Sequence, residues 1–296
     1  MSKTVLILGA SGRFGRHADK AFRAAGWSVR RFDRNTDSLR NSARGVALIV
    51  NAWNPAYPDW AKHVPLLHGQ VQQAARESGA TVLIPGNVYV FGQNTPAPWS
   101  ETSNHNAHNP LGRVRIEMER SYRQAGVRTI ILRAGDFIDT EPSGNWFDKV
   151  MISKLHKGVF TYPGNPDIPH AWAFLPDLAR AAVALAEKST ELPDFADIPF
   201  GGYTLSGRAV GAALPVSARL SKMAWWPLHL ARPVWPLAGH LLEMRYLWDT
   251  PHSLDNTEFR TRFPDFAHTP VQEALRQAVS LPAVARTAPR QAHGTT

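Results

Sequence analysis

Gly9, Gly12 and Gly15 recur every third residue, directly after the apolar run Thr4-Val5-Leu6-Ile7-Leu8. Such a run reads as a buried parallel strand. Gly9 lets the chain turn sharply, Gly12 lets the backbone approach a pyrophosphate, and Gly15 lets the next helix pack close to the sheet. Ser11, Arg13 and Phe14 complete the turn. Free N–H groups at the helix start favour an anion. A second strand, Trp27 to Phe32, ends at Asp33. Asp33 lies about 20 residues beyond the glycines, where an acid can bond an adenine ribose. Together these features predict a dinucleotide site; the plainer alternative is a βαβ unit with loop glycines. Arg13 and Arg34 could each hold a 2′-phosphate in a bidentate fork. Asp33 points to NAD and the two arginines to NADP. Two cations offset one carboxylate, so NADP is favoured and NAD is the alternative.

The elements that position these residues follow in a regular rhythm. Val46 to Val50 reads as a strand ending at Asn51-Ala52, and Trp60 to Ser78 as a helix stopped by Gly79. Thr81 to Ile84 is a strand ending at Pro85-Gly86, Leu111 to Gln124 a helix and Thr129 to Leu132 a further strand. Arg115/Glu119 and Glu119/Arg123 are spaced as helical ion pairs. The rhythm predicts an α/β fold: a Rossmann-type doubly wound parallel sheet with a smaller C-terminal substrate-binding region. The expected division is 1–190 for the nucleotide domain, with a substrate-side insertion at about 136–175, and 191–282 for the substrate region. A disordered tail is expected at 283–296. Ligands of such sheets sit at the carboxyl ends of the strands. The glycine turn, Asp33, Asn51, Ala52, Pro85–Gly92 and Arg133–Phe137 should gather there. Pro176 opens another helix, and Thr269-Pro270-Val271-Gln272 reads as a capping box opening the last one.

Composition narrows the function classes. The chain has 296 residues, 44% of them hydrophobic, which is enough for one large domain with an appendage. It lacks cysteine, which removes disulfides, thiol nucleophiles and thiolate metal sites. That fits a reducing cytoplasm, and no signal peptide fits the N-terminus. The net charge is +9. The arginines are dispersed and no nucleic-acid motif accompanies them, so nucleic acid is not expected as a partner. The segment 219–248 holds Trp225, Trp226, Trp235 and Trp248 among several prolines. It reads as a lid over an apolar substrate or as plain packing. A membrane anchor is the least favoured reading, since charges and prolines interrupt the run.

In order, these residues resemble the extended or atypical short-chain dehydrogenase/reductases, the group that includes NAD-dependent epimerases and dehydratases. The resemblance rests on Gly9-x-x-Gly12-x-x-Gly15, on Val88-Tyr89-Val90-Phe91-Gly92 after the fifth core strand, on Leu132-Arg133-Ala134-Gly135-Asp136 after the sixth, and on Pro176-Asp177-Leu178-Ala179. It covers roughly residues 3–190. It implies an NAD(P)-binding Rossmann domain, hydride chemistry and, in many members, a dimer through two helices. It also implies a Ser or Thr beside a Tyr-x-x-x-Lys pair, in which the lysine lowers the tyrosine pKa. Here the Ser position falls on Asn87, and the Tyr and Lys positions fall on Leu111 and Arg115. Leucine cannot transfer a proton, while Arg115 keeps a cation able to bond a ribose.

Asn87 could polarise a carbonyl as a donor, and Tyr89 could supply the acid or serve as a core aromatic. His105 and His108 read as a solvated polar loop, with no clustered carboxylate to complete a metal site. Asp136 is a ligand contact or a turn residue. The expected cofactor residues are Gly9, Ser11, Gly12, Arg13, Phe14, Gly15, Asp33, Arg34, Asn51, Ala52 and Arg133, and the catalytic candidates are Asn87, Tyr89 and Arg115. Two functions follow. The first is an NAD(P)-dependent oxidoreductase or epimerase acting on a small, partly apolar carbonyl or hydroxyl compound. The second is a non-catalytic NADP(H)-binding redox sensor.

Overall fold

A computed structural model of the chain describes residues 3–279; the tail expected at 283–296 lies outside them. The first half alternates as the apolar runs dictate. It comprises β1 (Thr4–Leu8), α1 (Arg13–Ala24), β2 (Ser28–Phe32), α2 (Leu39–Ser42), β3 (Leu48–Asn51), α3 (Trp60–Ser78), β4 (Thr81–Gly86), α4 (Pro110–Gln124) and β5 (Thr129–Arg133). Then come β6 (Asp136–Ile138), β7 (Val159–Tyr162), β8 (Pro169–Phe174), α5 (Leu175–Glu187) and β9 (Phe195–Pro199). The chain continues through β10 (Tyr203–Ser206), α6 (Gly207–Ala213), β11 (Arg219–Lys222), α7 (Trp226–Ala231), α8 (Pro236–Glu243), α9 (Thr257–Arg262) and α10 (Val271–Val279).

The main sheet is parallel throughout, in the order β2-β1-β3-β4-β5-β9. Successive β1 side chains enter opposite cores. Val5 and Ile7 pack with Phe14, Ala18 and Phe22 of α1 and with Leu178 and Ala182 of α5. Leu6 and Leu8 pack with Val64 and Val71 of α3 and with Met118 and Tyr122 of α4. Both faces are therefore covered, and the strands read as unbroken apolar runs for that reason. The strand order reverses at β1, which places the glycine turn at the switch point where such sheets bind ligands.

Val88–Gly92 follows the fourth strand and Arg133–Asp136 the fifth, one strand earlier than the resemblance implies. Between Phe32 and Leu48 the chain forms only α2, because Asp33, Asn35 and Asp37 build a turn: Asp33 Oδ1 accepts from Asn35 N at 2.9 Å. β2 is thus the sheet edge, and its exposed Arg30 and Arg31 blunt that edge.

Strands from both sides of residue 190 share the sheets. β9 completes the main sheet, while β6 and β8 of the insertion form a second sheet with β10 in the order β10-β8-β6, and β7 pairs with β11. β9 carries Asp197 and Pro199, which break the apolar pattern. Asp197 is buried because Arg133 meets it, and Pro199 is tolerated because β9 is an edge strand.

The tryptophan-rich segment divides. Trp225 and Trp248 are buried against Tyr162, Trp172 and Phe174, whereas Trp226 and Trp235 are exposed. Thr269 does not cap the last helix. Its N–H and hydroxyl both donate to Asp177, at 2.7 and 2.8 Å. Among the described residues no helix is long and apolar enough to cross a membrane.

Candidate active site

The glycine turn is fixed by space. Gly9 has φ of +76°, and a Cβ on Gly15 would lie 2.0 Å from the Gly9 carbonyl oxygen. Gly12 N donates to that same oxygen at 2.9 Å. No side chain caps α1, and its first turn holds no acid, so the helix start is left for an anion. Ser11 is exposed on the turn and Phe14 is buried beneath it. Ala52 closes the other side, its carbonyl lying 3.0 Å from where a Gly9 Cβ would be.

The two arginines separate. Arg13 donates to the carbonyls of Ser143 and Gly144, each at 2.8 Å, so its guanidinium clamps that loop. Arg34 is exposed and lines a cavity of about 500 Å³ with Phe32, Asp37, Trp53 and Gln70. Asn51 turns inward: its amide lies 3.2 Å from His68 Nδ1 and 3.4 Å from the Tyr122 hydroxyl. Arg133 also turns inward. It is fully buried, pairs with Glu119 at 2.8 Å and with Asp197, and donates to the Asn87 carbonyl at 2.6 Å. It positions the loop after β4 and does not face the glycine turn.

Of the catalytic candidates, Asn87 accepts the Tyr89 N–H on its side-chain oxygen at 3.1 Å, which shapes the turn into Tyr89. The Tyr89 hydroxyl lies 2.6 Å from that of Tyr57. Burial pushes the Tyr89 phenol well above its ordinary value, and the neighbouring Tyr57 and Asp136 push it the same way. Tyr89 therefore stays protonated at neutral pH. Burial raises Tyr57 as well, and that phenol feels Asp136, Arg13 of the glycine turn and Glu243 of α8. Tyr57, Tyr89 and Asp136 follow β3, β4 and β5 of the parallel sheet, at the same end as the glycine turn that follows β1.

Asp136 opens β6, and its Oδ2 lies 2.8 Å from His170 Nε2. His170 is buried and stacked on Trp248 at 4.5 Å. Sequence reasoning left Asp136 open and missed His170 and Tyr57 altogether. The signal is long-range: β6 and β8 pair with Asp136 opposite Trp172, which brings two distant residues together with no local motif.

Leu111 and Arg115, both on α4, are buried. Leu111 packs in the core, and its N–H donates to Glu243 at 2.7 Å. Arg115 is buried beneath Trp60, donates to the Pro85 carbonyl at 3.3 Å, and leaves its Nε unpartnered. The expected ion pairs at Glu119 do not form, since Glu119 is turned in to Arg133 and Arg123 stacks on Phe195 at 4.0 Å. His108 is exposed, but His105 is not in a solvated loop. Its ring lies 3.8 Å from Glu119 and 3.9 Å from Asp197. Carboxylates do cluster at His105, contrary to expectation, and Arg133 already engages both.

Burial holds three histidines neutral. His68 is pushed down to about 3, His105 to about 4 with help from Arg133, and His252 to about 3 with help from His170. An unfolded histidine takes a proton near pH ~6.5. Between pH 6.5 and about 4 the unfolded chain therefore binds protons that the native protein refuses, and stability falls as pH falls. Urea midpoints at pH 7 and pH 5 test this; equal midpoints would contradict the buried neutral rings.

No protein-family profile and no curated relative matches the sequence. Solved structures do. MoeE5 in complex with UDP-glucose and NAD is 17% identical, with a TM-score of 0.71 over 96% of this chain and 98% of that one. A putative epimerase from Burkholderia cenocepacia is 15% identical, with a TM-score of 0.72 over 96% and 99%. UDP-N-acetylglucosamine 4-epimerase from Bacillus cereus is 13% identical, with a TM-score of 0.70 over 94% and 95%. The fold is thus a Rossmann-type α/β fold, shared with these structures. Within that fold it is similar to nucleotide-sugar epimerases over nearly the whole chain.

Proposed function

We propose that the protein is an NAD(P)-dependent oxidoreductase or epimerase acting on a hydroxyl or carbonyl compound. The observation that carries this reading is that the glycine turn, Tyr57, Tyr89 and Asp136 all follow the carboxyl ends of strands of one parallel sheet, with Tyr57 bonded to Tyr89 and Asp136 to His170. The glycine turn fits a dinucleotide: its glycines leave backbone N–H groups uncovered at a helix start, and a cavity bordered by Arg34 opens beside it. The nicotinamide, when bound, gives or takes the hydride.

The protein's own groups handle the proton. Asp136 Oδ1 accepts no hydrogen bond from a described residue, while His170 holds Oδ2. Asp136 is therefore the base for a substrate hydroxyl in the oxidative direction. Tyr89, protonated and backed by Tyr57, donates to the substrate oxygen and stabilises charge developing on it. The Tyr57 and Tyr89 rings favour a small, partly apolar substrate.

Arg34 supports a preference for the phosphorylated cofactor. It borders the cavity without an ion pair to a described residue, and the Asp33 carboxylate is partly occupied by Asn35 N. Arg34→Ala is expected to weaken NADPH binding at least tenfold and leave NADH unchanged, as read by calorimetry. Tighter binding of NADH by the unaltered protein would make Asp33 the selector instead. The sensor is the second reading, favoured by Leu111 in the core where the family's tyrosine would stand. Clear nucleotide binding with no turnover on a broad carbonyl panel would select it.

A further inference from the structure

Leu230 and Val234 are 70% and 87% exposed, and Trp226 and Trp235 beside them are 65% and 44% exposed. Only Leu66 and Val216 join them among the exposed large apolar residues described. Trp226 and Leu230 are one turn apart on α7, so they share a face. The patch is rigidly presented. The adjacent Trp225 is buried, and its indole N–H donates to the Pro163 carbonyl at 2.6 Å. A contiguous apolar surface held on a fixed element marks an interaction site.

Charge indicates the partner. From Ile198 to Leu242 the sequence contains no aspartate or glutamate, yet it holds Arg208, Arg219, Lys222 and Arg232. Lys222 precedes the patch and Arg232 lies inside it, and neither forms an ion pair with a described residue. A second copy of the chain would set Lys222 and Arg232 against the same cations of its partner. An anionic lipid surface complements it: indole rings suit the headgroup boundary, and leucine and valine enter the acyl edge. Each lysine or arginine near such a surface adds roughly fivefold to partitioning.

We propose that α7 and residues 232–236 form a docking surface for an anionic membrane, held at the interface without spanning it. This proposal is independent of the proposed chemistry, because it uses none of the residues at the cleft.

Co-sedimentation of the full chain with phosphatidylglycerol-rich vesicles and with pure phosphatidylcholine vesicles tests it. Binding should occur on the anionic vesicles and decline with added salt. Leu230→Asp combined with Val234→Asp should weaken it at least tenfold. Both positions are exposed, so the fold should persist, and circular dichroism checks that. Arg232→Glu should weaken binding in the same direction. Absence of binding to anionic vesicles would overturn the proposal. So would binding that ignores the double substitution, or a dimer in light scattering that the double substitution dissociates.

Discussion

Replacing Asp136 by asparagine should lower turnover about 10²- to 10⁴-fold while nucleotide affinity stays unchanged, the range expected for loss of a positioned general base. Asparagine keeps the size and the contact to His170 but cannot accept a proton. The same change should leave binding of a carbonyl substrate nearly intact, since Tyr89 still donates. His170→Gln should give a smaller loss, because it only loosens the orientation of the carboxylate. Unaltered turnover in Asp136→Asn would remove Asp136 from the chemistry and return attention to Tyr89.

The largest effect on stability should come from Arg133→Met. Arg133 is fully buried and engages Glu119, Asp197 and the Asn87 carbonyl, with its guanidinium 5.3 Å from the Phe91 ring. Removing it strands two buried carboxylates without a counter-charge. Breaking one partner of a buried ion cluster costs about 3–5 kcal/mol, which lowers the thermal midpoint by roughly 5–8 °C in a chain of 296 residues. Converting Glu119 to Gln and Asp197 to Asn in the same protein should restore part of the loss, because the stranded charges disappear. A midpoint within a degree of the parent would show that water relieves those carboxylates.

Both predictions rest on long-range pairings that the sequence does not display, within a frame that it does. The frame was legible: β1 with its glycines, α3 ended by Gly79, and the strands before Gly86 and at Thr129–Arg133 all carry local signals. In each, an apolar run buried on both faces, or a glycine in a left-handed turn, reports its own conformation. The Arg133 cluster was not legible. Glu119 is spaced to pair along its own helix, yet it turns inward because Arg133 on β5 offers a buried bidentate partner. Asp197 hid the sixth strand for the same reason, since a carboxylate in a strand reads as polar until its partner on the next strand is known. The Asp136–His170 pair depends on β6 meeting β8, a tertiary pairing with no motif. The tryptophan-rich segment could not be assigned as one unit because neighbours such as Trp225 and Trp226 face opposite ways.

The cofactor site needs the most direct test, since every chemical step assumes it. Calorimetric titration of the protein and of Gly15→Ala with NAD⁺, NADH, NADP⁺ and NADPH provides it. The added methyl would lie 2.0 Å from the Gly9 carbonyl oxygen, so it should disrupt the turn. The account predicts binding by the unaltered protein, tightest for the phosphorylated pair, and loss of binding in Gly15→Ala. Failure of all four nucleotides to bind the unaltered protein would contradict it.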